Sequence, residues 1–237
     1  MPWIIDPATL PNNVHRAVAV LKGLEKRMRK AGTDYMKLYE EQFQDMVTRK
    51  VVRKLSQEEI SQYTGPVFYL SHFEVNNPEK TTKMRIVCNA SATYMQTKLN
   101  DCWVKGPLIT NDLLGVLLRF REKLIAIVGD LSKMYQSVLL SELDQHTHRL
   151  VWRNFDTSKE PDHYVLQTVT FGDKPSGTIA TLALRKTADM FQEKFPNAVR
   201  AIKEDTYIDD IMNSVDTNEE KKSIIQKIEQ IVNYGGL

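Results

Sequence analysis

Three aspartates stand where their carboxylates could act together on a phosphate-containing substrate. Asp130 ends the unbroken apolar run LIAIVGD, and Asp209 and Asp210 are adjacent in DTYIDDIMNS. Carboxylates at close quarters repel one another, and a divalent cation relieves that repulsion. Mg²⁺ is bound by one or two carboxylates together with substrate phosphates, and a pair of metal ions can stabilise both oxygens of an in-line phosphoryl displacement. An Asp-Asp pair alone indicates only a turn, because Asp suits turn geometry.

The flanking residues predict how these aspartates are positioned. The apolar run 124–130 predicts a buried strand with Asp130 at its carboxyl end. TYI and IMNSV predict the two strands of a hairpin with Asp209 and Asp210 at its tip. If the hairpin lies beside the buried strand, the three carboxylates converge on one site.

The remaining patterns predict helices and strands that surround this pair of elements. Apolar spacing predicts helices over 13–31, 35–47, 110–123 and 177–195, and a last helix ending at Gly235. We expect Thr110 or Asn111 to cap the helix over 110–123 and Asp216 or Thr217 to cap the last helix. SQEE, residues 56–59, is a capping-box start for a short helix. The segments 65–75 and 83–91 predict a hairpin, and RLVWRNF and HYVLQTVTF predict two more strands. The order predicts an α+β fold with a sheet backed by helices on one face.

The helix over 177–195 carries mostly apolar residues along one side. The residues on that side are Ile179, Leu182, Ala183, Lys186 and Met190.

Composition limits the protein class and says little about partners. The 237 residues are 42% hydrophobic and 26% charged, with a net charge of +2. No apolar run approaches the roughly 20 residues that span a bilayer, and no signal peptide is recognisable at the N-terminus. Cys88 and Cys102 form no CxxC motif, so we expect reduced thiols in an intracellular, cytoplasmic or nuclear protein that is not secreted. Between Arg16 and Lys54, 11 basic residues face 5 acidic ones, which indicates either a nucleic-acid contact or a solvated helix face.

Several ordered motifs resemble those of reverse transcriptases. YIDD resembles their Tyr-x-Asp-Asp motif, and GDLSKMYQSVLL is similar to the first catalytic motif, an Asp followed five residues later by an aromatic. VTFGDKPSGTIAT resembles the element that supports the templating and incoming bases, and KMRIVCNASA resembles the fingers segment that grips the triphosphate. LPNNVHRAVAVLKGLEKRM, YLSHFEV, LNDCWVKGP and YIDDIMNSV resemble the polymerase region of Pao/BEL-type LTR retrotransposon polyproteins.

The resemblance implies the fingers-plus-palm half of a right-hand polymerase, with a helical N-terminal segment and a mixed or antiparallel palm sheet. Residues 1–125 would form the N-terminal helices and fingers, and residues 126–237 the palm, with 140–170 partly returning to the fingers. The thumb is expected to be absent.

The resemblance also implies roles for individual residues. Asp130 and Asp209 would be metal ligands, helped by the backbone carbonyl of Leu131, and Asp210 would be a third carboxylate nearer the primer end. Tyr135 would be the steric gate that rejects a ribose 2′-OH. The other implied nucleotide and primer contacts are Arg85 on the triphosphate, Lys83 as a weaker second candidate, Phe171 and Gly172 lining the nucleotide pocket, and Tyr207 near the primer terminus.

The function implied is RNA-directed DNA polymerisation in an LTR retrotransposon, by two-metal transfer of a nucleotide to a primer 3′-OH. The cofactors would be two Mg²⁺ ions, with Mn²⁺ as a substitute. The partners would be an RNA or DNA template with its primer, dNTPs, and the thumb, RNase H and integrase parts of a polyprotein inside a virus-like particle, with no membrane. One alternative is a truncated, catalytically weak or inactive nucleic-acid-binding remnant. Another is an unrelated Mg²⁺-dependent phosphotransferase.

Histidines and tryptophans elsewhere in the chain favour structural roles. His146 and His148 form an i, i+2 pair in a polar stretch, for which metal binding is the minor alternative. Trp103 and Trp152 favour packing over base stacking.

Overall fold

The chain folds into two compact units, which we describe separately. The computed structural model describes residues 1–76 and 84–236. The first unit comprises Met1–Val104 and Leu139–Pro175, and the second comprises Lys105–Val138 and Ser176–Leu237. These boundaries differ from the expected division at residue 125, because 105–125 belongs to the second unit. The assignment of the units to fingers and palm stays a prediction.

The first unit combines N-terminal helices with two small antiparallel sheets. Its helices are α1 (Val14–Ala31), α2 (Thr33–Thr48), α3 (Gln57–Gln62) and α5 (Glu142–His146). Its strands are β1 (Val52–Lys54), β2 (Ser71–Asn76), β3 (Met84–Asn89), β5 (Arg149–Trp152) and β6 (Asp162–Leu166). The strand order is β1-β6-β5 in one sheet, while β2 and β3 form a separate hairpin. A one-turn 3₁₀ helix covers Leu99–Cys102.

Local sequence signals explain how the elements of the first unit begin. Ser56 accepts a hydrogen bond from the backbone of Glu59, whose side chain returns one to Ser56, so the predicted capping box is confirmed. The core of this unit is rich in aromatic rings, with Tyr39 and Phe43 of α2 each 5.2 Å from the ring of Trp152. Burial of such rings is a large apolar contribution to folding, and it attaches α2 to β5.

The second unit is a three-stranded sheet packed against helices. Its helices are α4 (Leu113–Phe120), α6 (Ser176–Asp189), α7 (Pro196–Glu204) and α8 (Asn218–Tyr234). Its strands are β4 (Ile125–Asp130), β7 (Thr206–Tyr207) and β8 (Asp210–Val215), in the antiparallel order β4-β8-β7. The buried core joins Ile211 of β8 to Ala198 and Ile202 of α7 and to Ile228 and Ile231 of α8.

Two predictions for helices of this unit are wrong in detail. α4 is capped by Asp112, whose carboxylate accepts from Gly115 N at 2.8 Å, rather than by Thr110 or Asn111. The predicted helix over 177–195 stops at Asp189, and a separate helix, α7, starts where Pro196 occupies the first turn. Proline suits that position because its missing N–H would have no helical partner there.

The buried side of α6 also differs from the side noted in the sequence. Ser176, Ala180, Leu184 and Ala188 are buried, at a spacing of four residues. Leu182 and Met190, which lie along the side that the sequence marks as mostly apolar, are exposed. Ser176, Ala180 and Ala188 have small side chains, which let α6 approach its neighbours closely. The face that carries them is therefore buried, and the face with larger side chains is not.

The prediction that β4 is a buried strand is also wrong for most of its residues. In the described ranges Ile127 is the only buried residue of β4, and Val128 is 67% exposed. Successive side chains of a strand point to opposite faces, and helices α7 and α8 supply apolar cover for one face. No described helix has the length and apolar composition needed to cross a bilayer.

Candidate active site

Strand pairing in the second unit sets two of the three predicted aspartates opposite each other, and the third precedes one of them in the chain. Asp130, the last residue of β4, is the direct cross-strand partner of Asp210, the first residue of β8. Asp209 precedes Asp210 in the hairpin loop, and its carbonyl accepts a 2.8 Å hydrogen bond from Leu131 N. The loop consists of Ile208 and Asp209, since Tyr207 pairs with Asp210, so Asp210 lies in the strand and not at the tip.

The hairpin turn holds a β-branched residue in a left-handed conformation. Ile208 has φ of 60°, a region that β-branched residues rarely adopt. Such backbone strain costs on the order of 1–3 kcal/mol and is found where surrounding structure enforces it. The Leu131 N to Asp209 carbonyl bond and the β7–β8 pairing enforce it here, and they fix the direction in which Asp209 leaves the backbone.

The donor set of this hairpin fits a hard divalent cation. Directly opposed side chains on antiparallel strands have Cβ atoms about 4.5–5.5 Å apart, and like charges in such a pair destabilise the sheet. Asp130 and Asp210 are exposed and Asp209 is half-buried, so solvent reaches all three carboxylates. No cluster of three His, Cys, Asp or Glu side chains close enough to hold a metal occurs among the described residues. Mg²⁺ characteristically uses one or two carboxylates plus substrate phosphates and water, so two of these three aspartates are enough protein ligands.

Tyr135 lies beside this carboxylate group. It belongs to the single 3₁₀ turn Met134–Ser137 after β4 and is half-buried against the core of the second unit. Burial raises the pKa of the Tyr135 hydroxyl, and the negative charge of Asp209 adds to the rise. A Cβ placed on Gly177 would lie 3.9 Å from the Tyr135 hydroxyl oxygen. The ring therefore packs between the start of α6 and the aspartates as a neutral phenol.

The predicted triphosphate and base contacts lie in the first unit. Arg85 is exposed on β3, opposite Val75, and Phe171 is 51% exposed. Gly172 has φ of 101°, and a Cβ there would lie 3.3 Å from the carbonyl oxygen of Cys88 on β3. The glycine thus permits a close approach of the 171–174 turn to the strand that carries Arg85. Lys83, the second triphosphate candidate, lies outside the described residues.

A residue that the sequence analysis left without a role holds this turn in place. Asn100 donates from Nδ2 to the Gly172 carbonyl and accepts at Oδ1 from Lys174 N, both at 2.8 Å. Its own backbone N–H donates to the Ala90 carbonyl at the end of β3. Asn100 therefore ties the turn to β3 through one side chain, although 72 residues separate it from Gly172. The stretch LNDCWVKGP, which contains Asn100, was the sequence signal that could have identified this residue as functional.

A buried ion pair anchors the same turn from its other side. Asp173 and His148 are almost fully buried, and Asp173 Oδ2 lies 3.3 Å from His148 Nε2. The orientation does not meet hydrogen-bond geometry, so the contact is an electrostatic one. Burial lowers the pKa of His148, but the Asp173 carboxylate and the Asp144 carbonyl outweigh it, and the net pKa is raised. Trp103 stacks on the His148 ring at 5.2 Å.

The other histidines and tryptophans have structural partners. His146 accepts from Arg149 at Nδ1 and stacks on Tyr63, while the ring nitrogens of His72 contact the Tyr39 hydroxyl and the Val151 carbonyl. His146 and His148 therefore do not form a metal pair with each other. Trp103 and Trp152 are fully buried, which leaves their faces inaccessible to bases.

Comparison with known proteins gives a family and a fold. A family model described as reverse transcriptase (RNA-dependent DNA polymerase) matches residues 76–237, more than half of the chain. No curated protein sequence matches it significantly. Among solved structures, a foamy viral protease–reverse transcriptase in complex with double-stranded DNA is similar, with a TM-score of 0.58 and 18% identity. The match covers 81% of this chain and 28% of that one.

At this identity the structural likeness concerns the fold alone, and the chain spans only about 28% of the length of the foamy viral protein. The predicted fold class, a mixed fingers-and-palm fold of helices and antiparallel sheets, is confirmed by the family match and the structural likeness together. The chain belongs to the reverse transcriptase (RNA-dependent DNA polymerase) family.

Proposed function

We propose that this chain is the RNA-directed DNA polymerase domain of an LTR retrotransposon of the Pao/BEL type, transferring nucleotides to a primer 3′-OH. The observation that carries the proposal is the cross-strand pairing of Asp130 with Asp210, with Asp209 next to it. The family match supports the reaction, and the stretches LNDCWVKGP and YIDDIMNSV support the element type.

The proposed chemistry uses the three aspartates as an oxygen-rich seat for two Mg²⁺ or Mn²⁺ ions. Bound divalent ions would supply charge stabilisation for the attacking and leaving oxygens of an in-line displacement. Asp130 and Asp209 would supply the ligand oxygens, with help from the Leu131 backbone carbonyl, and Asp210 would be a third carboxylate nearer the primer end. The strained turn and the Leu131 N bond keep these carboxylates in position before substrate arrives, which lowers the reorganisation needed for reaction.

The substrate contacts follow from the side chains in each unit. Tyr135, neutral and held by packing, presents a ring edge that would clash with a ribose 2′-OH. The Arg85 guanidinium, with Lys83, suits triphosphate oxygens. Phe171 and Gly172 line the nucleotide pocket, and Tyr207 lies near the primer terminus. In this proposal the first unit acts as fingers and the second as palm, and the chain works with a thumb, RNase H and integrase of a polyprotein.

Primer extension with dNTPs on an RNA template tests the proposal. We expect incorporation that depends on template, dNTP and a divalent cation, and that is lost in Asp130→Asn. Template-primer binding without incorporation under any divalent condition would contradict polymerase activity and favour a binding remnant. Template-independent phosphate release would favour an unrelated phosphotransferase.

A further inference from the structure

One exposed helical face carries a concentration of positive charge that no other long helix within residues 1–76 and 84–236 has. α1 contains six Lys and Arg residues and one acid, Glu25. By contrast, α2 contains one Lys and four acids, and α8 contains three Lys and three Glu. The local charge of α1 is therefore not a general property of the surface, since the whole chain has a net charge of only +2.

The single acid of α1 is removed from the exposed surface by a buried ion pair. Both carboxylate oxygens of Glu25 accept from the Arg153 guanidinium, at 2.7 and 2.6 Å. Because both oxygens of Glu25 are bound to Arg153, this carboxylate does not neutralise the neighbouring lysines. Glu25 is 2% exposed, so the solvent side of α1 presents cations without acids of its own.

We define the basic face of α1 as six of its exposed residues, Arg16, Ala19, Lys22, Gly23, Lys26 and Lys30. In the described part of the chain, none of its four cations has an acidic partner. Lys22, Lys26 and Lys30 are spaced four residues apart, so they form a row with a rise of about 6 Å per step. A regular row of point charges matches the regular phosphates of a nucleic-acid strand.

The centre of the basic face is open to close approach. Gly23 lies inside the helix, where glycine costs about 1 kcal/mol relative to alanine, and a Cβ added there would meet nothing within 4 Å. Packing in the described chain therefore gives no reason for glycine at this position. Together with exposed Ala19, it leaves the helix backbone accessible between the basic side chains.

A groove beside the basic face continues the positive surface. It has a volume of about 460 Å³, and the cations that line it, Lys22, Lys26, Arg29, Arg153 and Lys159, outnumber the two acids, Glu25 and Glu160. Its far wall is fixed, because Arg29 donates to the Phe155 carbonyl at 2.8 Å and Arg153 donates to the Lys159 carbonyl at 2.9 Å. The cations of the groove and of the basic face are thus held on one preformed surface.

From this arrangement we propose that the basic face of α1, with its flanking groove, binds the sugar–phosphate backbone of double-stranded nucleic acid without regard to sequence. Proteins that bind single strands combine positive charge with aromatic platforms on which bases stack, and α1 contains no Phe, Tyr or Trp. A regular backbone without exposed bases is therefore the occupant that fits. The site lies in the unit that does not carry the aspartates, and it goes beyond the proposed polymerase chemistry because binding there requires no catalysis.

The test measures binding of a labelled blunt DNA duplex by fluorescence anisotropy between 50 and 200 mM NaCl. The variant Lys22→Gln/Lys26→Gln/Lys30→Gln is compared with Lys221→Gln/Lys222→Gln/Lys227→Gln, which makes the same charge change on α8. Each lost phosphate contact lowers the magnitude of the slope of log K against log[salt] by about 0.9. We expect the magnitude of that slope to be smaller by roughly 2–3 in the α1 variant than in the wild type. The α8 variant should keep the wild-type slope.

A second variant separates binding from folding. Gly23→Met fills the open centre of the face without changing charge, and it replaces glycine by a better helix former. We expect a higher unfolding temperature together with a several-fold weaker duplex affinity. Equal slopes for the α1 and α8 variants, or an undiminished affinity of Gly23→Met, would overturn the proposal. If the α1 variant loses as much affinity for a single strand of the same length as for the duplex, the assignment of the site to double-stranded nucleic acid is wrong.

Discussion

Asp130 and Asp210 face each other across the β4–β8 ladder, although 80 positions separate them in the chain. A directly opposed pair of like charges destabilises a sheet by up to about 1 kcal/mol. The protein therefore keeps an arrangement that costs stability, at the strand ends where Asp209 adds a third carboxylate.

Asp130→Asn is expected to lower the rate of nucleotide incorporation while slightly raising stability. Loss of one ligand oxygen removes several kcal/mol of charge stabilisation, so incorporation should fall by at least about a hundredfold. The unfolding temperature should rise slightly, because the opposed charge is gone. The measurements are single-turnover extension and thermal unfolding, with exposed Glu229→Gln as a control that removes one negative charge elsewhere. Wild-type rates in Asp130→Asn would contradict the site.

Tyr135→Val is expected to admit ribonucleotides. A smaller side chain removes the predicted clash with a 2′-OH, so kcat/KM for rNTPs should rise relative to that for dNTPs by at least about tenfold, equivalent to about 1.4 kcal/mol. Tyr135→Phe keeps the ring and is the matched control, which should retain selectivity. An unchanged ratio in Tyr135→Val would make the residue part of the core only.

Arg85→Ala is expected to weaken dNTP use more than template-primer binding. A hydrogen bond to a charged group is typically worth about 1.5–3 kcal/mol, so KM for dNTP should rise by about tenfold or more. Arg85→Lys keeps the charge but not the planar fork and should be intermediate. Titration of dNTP and of template-primer gives both constants. Equal losses for the two ligands would place Arg85 on the nucleic-acid backbone.

Asn100→Asp is expected to disturb the 171–174 turn and with it nucleotide affinity. The substitution keeps an acceptor for Lys174 N but sets a carboxylate oxygen against the Gly172 carbonyl. Leaving such a group unsatisfied costs about 1–3 kcal/mol, so KM for dNTP should rise at least about fivefold with little change in template-primer affinity. Asn12→Asp, whose exposed side chain acts only as an acceptor for Val14 N, is the control. An unchanged KM would show that the turn does not contact nucleotide.

His146 is expected to make stability depend on pH below neutrality. Burial and the Arg149 charge lower the pKa of His146 to about 4, against about 6.5 in an unfolded chain. The unfolded state therefore binds more protons between these values, and the free energy of unfolding should fall as pH falls from about 6.5 to about 4. Below about pH 4, the stability that depends on a neutral His146 is fully lost.

Urea unfolding at pH 4.5 and 6.5 measures this effect. His146→Gln removes the titrating group and keeps an acceptor for Arg149, so the difference between the two pH values should shrink. His15→Gln, at an exposed position, is the control. An undiminished difference in His146→Gln would show that the acid sensitivity arises elsewhere, for example at His72 or His163, whose pKa values burial also lowers.

Helix starts, strand identity and the carboxylate motif could be predicted from the sequence because their determinants are local. The spacing of Leu21, Leu24 and Met28 predicts α1, and its bounds agree with the structure to one residue. The cap of α8 at Thr217 likewise depends on a residue three positions away. The adjacent pair Asp209–Asp210 is visible in any short window, and its hairpin is confirmed apart from the exact position of the loop.

Features that depend on distant partners could be decided only by the tertiary structure. Both α6 faces contain apolar residues, and packing against α7 and α8 selects the face with Ala180, Leu184 and Ala188. The apolar run 124–130 predicts a buried strand, yet helices cover only one face of the sheet. Asn100 acts on Gly172 and Lys174 because the fold brings a 3₁₀ turn to a loop 72 residues further on, a contact to which no local preference points. The sequence thus determines which side chains are available, and long-range packing determines which of them meet.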